Sequence, residues 1–136
     1  RSIYEDHEIF AKSLLHLGIM GQRDYLSYRQ LFEAIAPYVT KPDLLIYMKA
    51  SVDTLVERIR LRSRDCETGI APDYLAHLND RYADWMDHFD LCPVLILDAD
   101  RLDFVQRDRD LRFVYDQVSG FLAGELTAKT YQPVLI

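Results

Sequence analysis

An arginine cluster lies in the segment RIRLRSRDCETG, which spans residues 58–69. Its four arginines recur at every second position: Arg58, Arg60, Arg62 and Arg64. A guanidinium group stays charged, and its planar fork can bond two oxygens of a phosphate at once. The whole chain has a formal net charge of -6, and nucleic-acid binding requires a broadly basic surface. A local basic cluster in an acidic protein therefore indicates a small anionic ligand.

Two interpretations of this cluster remain open at the level of residues. Arg58 and Arg62 are four positions apart and share one side of a helix, and we expect the residues after 62 to form a loop that carries Arg64. Arginines that converge from a helix end and a mobile loop suit phosphoryl transfer, which requires a lid that excludes water and supplies cations. The alternative is a solvated charged face whose arginines pair with acidic neighbours such as Asp65.

The elements that would position this cluster can be predicted from the spacing of apolar residues. Five helices are expected: residues 3–17, a second that ends near Pro37, a third capped by Ser51, a fourth that begins at Pro72, and 106–126. We expect the inward side chains to be Val52, Leu55, Val56 and Ile59 in the third helix and Leu111, Val114, Val118 and Phe121 in the last.

Two short apolar runs, LLIYM (44–48) and VLIL (94–97), are predicted to be strands buried on both faces. Since helices separate them, they indicate an α/β protein with a parallel sheet. Ligands bind such sheets at the carboxyl ends of the strands. We expect the basic C-terminal end of the third helix to lie on the far side from that edge. The loop after this helix would therefore have to fold back over the ligand site. Two strands make a poor sheet and the chain starts at Arg1, so a preceding segment is expected to supply further strands.

Composition narrows the class of protein. The 136 residues fit one domain, and no apolar run approaches the ~20 residues of a membrane span. The two cysteines, Cys66 and Cys92, and the four histidines follow no disulfide or zinc-ligand spacing. We expect a cytoplasmic protein with no metal site of its own and no nucleic-acid or membrane partner.

Three segments together resemble the deoxynucleoside kinase family, which includes deoxycytidine, deoxyguanosine and deoxyadenosine kinases. RSIYED continuing to IFA (1–11) resembles the family's Arg-Ser motif and the helix after it. RIRLRSRDCETGI (58–70) resembles its lid, and LILDAD (95–100) resembles its last strand and donor-base loop. The resemblance implies a P-loop-kinase-type parallel sheet flanked by helices, with a lid at about residues 62–72. Residues 1–136 would form a single domain, which is the C-terminal portion of the family's kinase domain.

The resemblance also implies a substrate site for a deoxynucleoside. Arg1 would hold the 5′ region and approach the transferred phosphate, and Glu67 would accept a hydrogen bond from the sugar 3′-hydroxyl. Asp6 would contact the base edge beside Phe10, which would stack on the base. The residues alone offer other interpretations: Phe10 as a core residue on an apolar face, which they favour, and Asp6 as a first-turn partner of the helix dipole.

On the donor side, the resemblance implies that Arg62 and Arg64 bind the phosphates of ATP. Arg58 would lie against the adenine through its flat face, and the loop containing Asp98 and Asp100 would line the base pocket, mostly through its backbone. Arg1, Arg62 and Arg64 would be the catalytic residues.

The sequence departs from the family pattern because it contains no Gly-x-x-x-x-Gly-Lys-Ser/Thr loop and no acidic residue before Arg1. The phosphate loop, the Mg²⁺ ligands and the general base are therefore expected outside this chain, which we expect to be inactive alone. The intact protein would use ATP and Mg²⁺ to phosphorylate the 5′-hydroxyl of a deoxynucleoside, preferably a purine, and would form a homodimer through its first two helices. The alternatives are a thymidylate-type nucleoside-monophosphate kinase and a non-catalytic nucleoside-binding module.

Overall fold

A computed structural model describes residues 2–62, 64 and 69–124, which divide into two compact units. The first unit holds the described parts of Arg1–Lys41 and Gly69–Phe89, and the second holds those of Pro42–Thr68 and Asp90–Ile136. Two predicted site residues, Arg1 and Glu67, lie outside the described residues, as does much of the predicted lid. That residues 1–136 belong to one domain stays a prediction.

The secondary structure follows the predicted order of helices and strands. In chain order, the elements are α1 (Ile3–Glu5), a π-helical segment (Asp6–Ala11), α2 (Lys12–His16), α3 (Gln22–Ile35), a 3₁₀ turn (Ala36–Tyr38), β1 (Leu45–Lys49), α4 (Val52–Arg62), α5 (Pro72–His88), β2 (Val94–Asp98) and α6 (Asp108–Leu122). The α1, π-helical and α2 segments follow one another without a break and replace the single helix predicted for residues 3–17.

The first unit is helical, and local signals fix where its helices begin. Ser2 Oγ accepts a hydrogen bond from the Glu5 backbone N–H, and Glu5 Oε2 accepts one from the Ser2 N–H, both at 3.3 Å. This reciprocal capping box satisfies two backbone donors at the start of α1. Pro72 occupies the first position of α5, as predicted. Ile9 and Ser13 are fully buried in this unit.

The second unit is built on parallel strands β1 and β2, paired from Leu45 with Val94 to Lys49 with Asp98. Its core is a cluster of Leu95, Leu97 and Leu102 against which α6 packs. The α6 side chains in that packing are Phe113, Val114 and Val118. The predicted parallel α/β architecture is confirmed.

Three predictions about burial in this unit are wrong. Leu111 is 52% exposed, because the buried position in the first turn of α6 belongs to Asp110, which is 2% exposed. The Asp110 carboxylate accepts a hydrogen bond from the Asp103 N–H at 2.8 Å, which ties the turn to the preceding loop. Strand β1 is not buried on both faces within the described part of the chain, where Ile46 is 42% exposed beside a single partner strand. In α4, Val56 is also partly exposed.

Across residues 2–62, 64 and 69–124, no helix has the length and apolar character that crossing a bilayer requires.

Candidate functional site

The predicted nucleoside-side residues Asp6 and Phe10 both lie in the π-helical segment, and both are half-buried. Residues four apart share one side of an α-helix and remain close to one side in the slightly wider π turn. The backbone therefore presents both side chains in one general direction. Short π-helical segments inside helices are rare and occur frequently at functional sites.

A histidine stack fixes this segment against α3. The His7 ring is buried and lies parallel to the Phe32 ring, with centroids 4.1 Å apart and an interplanar angle of 3°. Tyr25 and Tyr28 extend the stack at 6.3 and 6.0 Å from His7. Burial away from water lowers the pKa of His7, and the adjacent Glu8 carboxylate opposes this only in part. The neutral imidazole therefore serves as a packing group.

A second contact fixes the start of the segment against α5. The Tyr82 hydroxyl donates a hydrogen bond to Glu5 Oε1, so the carboxylate that completes the capping box also reaches another helix. This pair was not predicted from the sequence. The capping-box spacing of Ser2 and Glu5 was visible in the sequence, whereas nothing local identified the partner of the Tyr82 hydroxyl.

An open pocket of about 240 Å³ lies on the first unit, and it does not coincide with the predicted residues. It is lined by Glu8, Lys12, Arg81, Asp84, Trp85 and His88. Its two bases, two acids and histidine give it mixed charge, and neither Asp6 nor Phe10 contributes to its wall. We do not assign it to the nucleoside.

In the second unit, the carboxyl edge of the sheet is joined to the start of α4 by Asp100. Asp100 Oδ1 accepts hydrogen bonds from the Ser51 backbone N–H at 2.8 Å and from Ser51 Oγ at 3.0 Å. Ser51 Oγ also accepts the Thr54 N–H at 3.3 Å, which confirms the predicted cap. Hydrogen bonding from the Thr54 side chain, followed by the Ser51 N–H, lowers the pKa of Asp100. The Asp100 carboxylate thus holds the loop after β2 onto the helix.

Asp98 has a similar role within the loop itself. Its Oδ1 accepts the Asp100 N–H at 3.0 Å, and its Oδ2 forms an ion pair with Arg101 Nε at 3.3 Å. Both carboxylates predicted at the donor site therefore shape the backbone of the loop. This arrangement is compatible with base contacts made through the backbone, which stay a prediction.

Arg58 binds the same loop directly. Its Nη2 donates to the carbonyl oxygens of Ala99 at 2.6 Å and Leu102 at 2.8 Å. The basic end predicted to lie far from the carboxyl edge is the C-terminal end of this helix, whereas Arg58 lies in the middle of α4. Side chains on a helix tilt toward its N-terminus, and α4 starts at that edge, so the long Arg58 side chain reaches back to it. Hydrogen bonds at the edge of a guanidinium leave its flat faces available for stacking.

Arg62 lies in the last turn of α4 and Arg64 just beyond it, and both side chains are exposed. A base in the last turn interacts favourably with the carbonyl end of the helix dipole. Arg58 and Arg62 share one side of α4 because they are four positions apart. One helix therefore carries arginines from the loop after β2 to the start of the predicted lid.

Asp110 holds the far end of that loop. Besides the Asp103 N–H, its carboxylate contacts Arg109 Nε at 3.2 Å and Arg107 Nη1 at 3.4 Å. The Asp103 N–H is the main reason that the pKa of Asp110 is lowered, and the two arginines add to it. Sequence reasoning missed Asp110, because a charged residue in a first turn is ordinarily a solvent-exposed partner of the helix dipole.

The residues that the structure describes contain no group of three or more histidine, cysteine, aspartate or glutamate side chains able to hold a metal ion. We therefore assign no Mg²⁺ ligand to these residues.

Open α/β sheets bind ligands outside the carboxyl ends of their strands, and here the loop at that edge is held by Arg58 of α4. Comparison with known proteins identifies the group. The sequence profile of the deoxynucleoside kinase family matches residues 1–123. The chain therefore belongs to the deoxynucleoside kinase family.

Individual relatives agree with this assignment. A deoxyadenosine/deoxycytidine kinase of Bacillus subtilis is 36% identical over 124 residues, which cover 90% of this chain and 57% of that protein. A deoxyadenosine kinase of Dictyostelium discoideum is 40% identical over 86 residues, which cover 63% of this chain and 35% of that protein. The chain thus spans about half or less of the length of these relatives.

Solved structures show the same similarity. Deoxyadenosine kinase from M. mycoides, with the products dCMP and a flexible dCDP bound, superimposes with a TM-score of 0.73 at 25% identity, covering 89% of this chain and 60% of that one. The same enzyme with bound dCTP gives a TM-score of 0.69 at 26% identity, covering 88% and 62%. These relatives are nucleoside kinases, so the thymidylate-type alternative is not favoured.

Proposed function

We propose that the complete protein transfers the γ-phosphoryl group of ATP to the 5′-hydroxyl of a deoxynucleoside, with a preference for purines. Family membership and the names of the relatives support this reaction. The main structural observation in its favour is that Arg58 donates hydrogen bonds to two carbonyl oxygens of the loop after β2. Arg58 is also the first of the arginines that continue along α4 into the predicted lid.

On the donor side, the loop after β2 would receive the adenine, with the Arg58 guanidinium stacked on the base through one flat face. Asp98 and Asp100 would keep the loop in shape rather than touch ATP. Arg62 and Arg64 would approach the phosphates and neutralise the charge that spreads over the transferred group. Because phosphoryl transfer depends mainly on alignment and electrostatics, these cations would provide much of this chain's contribution to catalysis.

On the acceptor side, Asp6 would accept a hydrogen bond from the base edge, and Phe10 would stack on the base. Arg1 would hold the 5′ end of the substrate, and Glu67 would bind the sugar 3′-hydroxyl. Mg²⁺, when bound with ATP, would supply positive charge against the negative charge of the donor phosphates. We assign no residue of this chain to that ion.

A substrate panel tests the reaction. The complete protein, supplied with ATP and Mg²⁺, should phosphorylate deoxyadenosine or deoxyguanosine at the 5′-position, measured by chromatography of the labelled product. Thymidine monophosphate and deoxyadenosine monophosphate are the controls and should give no diphosphate. A protein that phosphorylates only monophosphates, or that binds deoxynucleosides without turnover, would contradict the proposal.

The lid role of the arginines has its own test. Arg62→Ala and Arg64→Ala should each lower kcat by about 10²-fold or more, the scale on which removal of one transition-state donor acts. The dissociation constant of the deoxynucleoside should change less than twofold. Arg60→Ala, from the exposed side of the same helix, is the control. Retention of full kcat by both lid variants would refute the assignment.

We further propose that the protein is a cytoplasmic homodimer that pairs through its first helices. Leu26, Leu31 and Ile35 on α3 are exposed large apolar side chains in the described first unit, and exposed apolar patches frequently mark interfaces. Light scattering coupled to size exclusion should give the mass of a dimer, and Leu31→Asp should shift it toward the monomer. A wild-type monomer at all accessible concentrations would overturn this proposal.

A further inference from the structure

The π-helical segment is held by contacts to two other helices. The His7 stack on Phe32 ties it to α3, and the Tyr82 hydroxyl on Glu5 ties its start to α5. A π turn is rarer and less favourable than an α turn. We therefore expect a π turn to persist where contacts from surrounding side chains stabilise it. The Glu5–Tyr82 contact lies at the residue immediately before the π-helical segment.

Glu5 connects the helix start to α5 through a single carboxylate. Oε2 accepts the Ser2 N–H, and Oε1 accepts the Tyr82 hydroxyl. Tyr82 itself is packed, because its ring contacts Trp85 edge-on at 6.4 Å, and Trp85 contacts Phe89 at 5.2 Å. Because these aromatic contacts hold the Tyr82 side chain in place, its hydroxyl can fix the position of Glu5 and of the helix that carries Asp6.

We propose that Glu5 and Tyr82 are positioning residues for the acceptor nucleoside. By fixing the turn immediately before Asp6, they set the register in which Asp6 and Phe10 are presented, without touching the substrate themselves. The inference rests on the proposed kinase function. In that function, this pair would align Asp6 and Phe10 with the base of the nucleoside. Loss of the pair should weaken binding of the nucleoside and leave the donor side unchanged.

Variants of the complete protein test this assignment. Tyr82→Phe removes only the hydroxyl, and Glu5→Gln retains the capping box, which accepts either residue type. Tyr82→Phe should raise the KM for the deoxynucleoside at least about tenfold, the effect of losing one hydrogen bond to a charged group. Glu5→Gln should raise it less, because the uncharged amide can still bond the Tyr82 hydroxyl. The KM for ATP and kcat should stay within twofold. The double variant should be no worse than Tyr82→Phe alone, because both changes act on the same contact.

The controls match each chemical change at exposed positions. Glu57→Gln neutralises an exposed carboxylate on α4, and Tyr115→Phe removes an exposed hydroxyl from α6. A second readout is amide hydrogen exchange of Asp6–Ala11, which should accelerate about tenfold in Tyr82→Phe, by a smaller factor in Glu5→Gln, and in neither control.

The outcomes separate the two proposals. Unchanged exchange of Asp6–Ala11, or equal increases in KM for the nucleoside and for ATP, overturns the positioning role. If the wild type is active and the variants keep its KM for the nucleoside, the positioning role is overturned while the kinase function stands. A wild type that phosphorylates no nucleoside overturns the proposed function and the substrate role of the pair together.

Discussion

Arg58→Met tests how the loop after β2 is held. Methionine keeps an unbranched apolar side chain in the helix and removes the guanidinium that binds the Ala99 and Leu102 carbonyls at 2.6 and 2.8 Å. Hydrogen bonds from a charged donor contribute about 1.5–3 kcal/mol each. Since one nitrogen makes both bonds and the side chain is only half-buried, we expect a loss of about 2–3 kcal/mol for the pair, well below the sum of two full bonds.

Hydrogen exchange measures this loss where it occurs. The Leu102 N–H donates to the Asp98 carbonyl within the loop, and opening the loop exposes it to solvent. A loss of about 2 kcal/mol corresponds to an opening equilibrium roughly 30-fold larger, because about 1.4 kcal/mol is a factor of ten. Exchange at Leu102 should accelerate by that factor, and the KM for ATP should rise while the nucleoside KM does not.

Arg60→Met is the matched control, since it removes the same group from the exposed side of α4. Exchange at Leu102 that accelerates less than twofold in Arg58→Met would refute the idea that this arginine holds the loop. An equal acceleration in both variants would refute it as well, because the effect would then come from α4 in general.

Three further predictions concern the carboxylates and the buried histidine. Asp100→Ala removes the acceptor that binds the cap residue Ser51 and should cost about 1 kcal/mol of unfolding free energy in urea titrations at pH 7. A loss below about 0.3 kcal/mol would contradict its role in holding the loop after β2 onto α4. The lowered pKa of Asp110 means that its contribution to stability is present above about pH 4 and is lost as the pH falls further, so Asp110→Asn should flatten the melting-temperature profile below pH 4. Burial lowers the pKa of His7, so its folded site resists protonation, and stability should fall as the pH drops below about 6.5. His7→Phe should remove that slope, and an unchanged slope between pH 7 and 5 would assign it to another group.

The helix boundaries that were predictable from the sequence depend on local chemistry. Ser51 caps α4 and Pro72 opens α5 because a hydroxyl or a fixed φ acts on backbone groups within a turn. The parallel pairing of the two strands also followed from the order of elements, because a helical crossover allows it.

The features that escaped prediction depend on partners distant in sequence. Arg58 lies 41 and 44 residues from the two carbonyls that it binds. Asp110 rather than the predicted Leu111 is buried, because its carboxylate binds the backbone N–H of Asp103 in the loop, seven residues earlier. The π-helical segment had no sequence signal, because its stacking partner Phe32 belongs to another helix.

The attachment of Arg58 also constrains the length of α4. From Arg58 to Arg62 is four residues, an advance of about 6 Å along the axis at 1.5 Å per residue. Deleting or inserting one residue between them would turn Arg62 by about 100° around the axis, since 3.6 residues make a turn. Homologous enzymes that keep both arginines are therefore expected to tolerate substitutions between them but no change in the number of intervening residues.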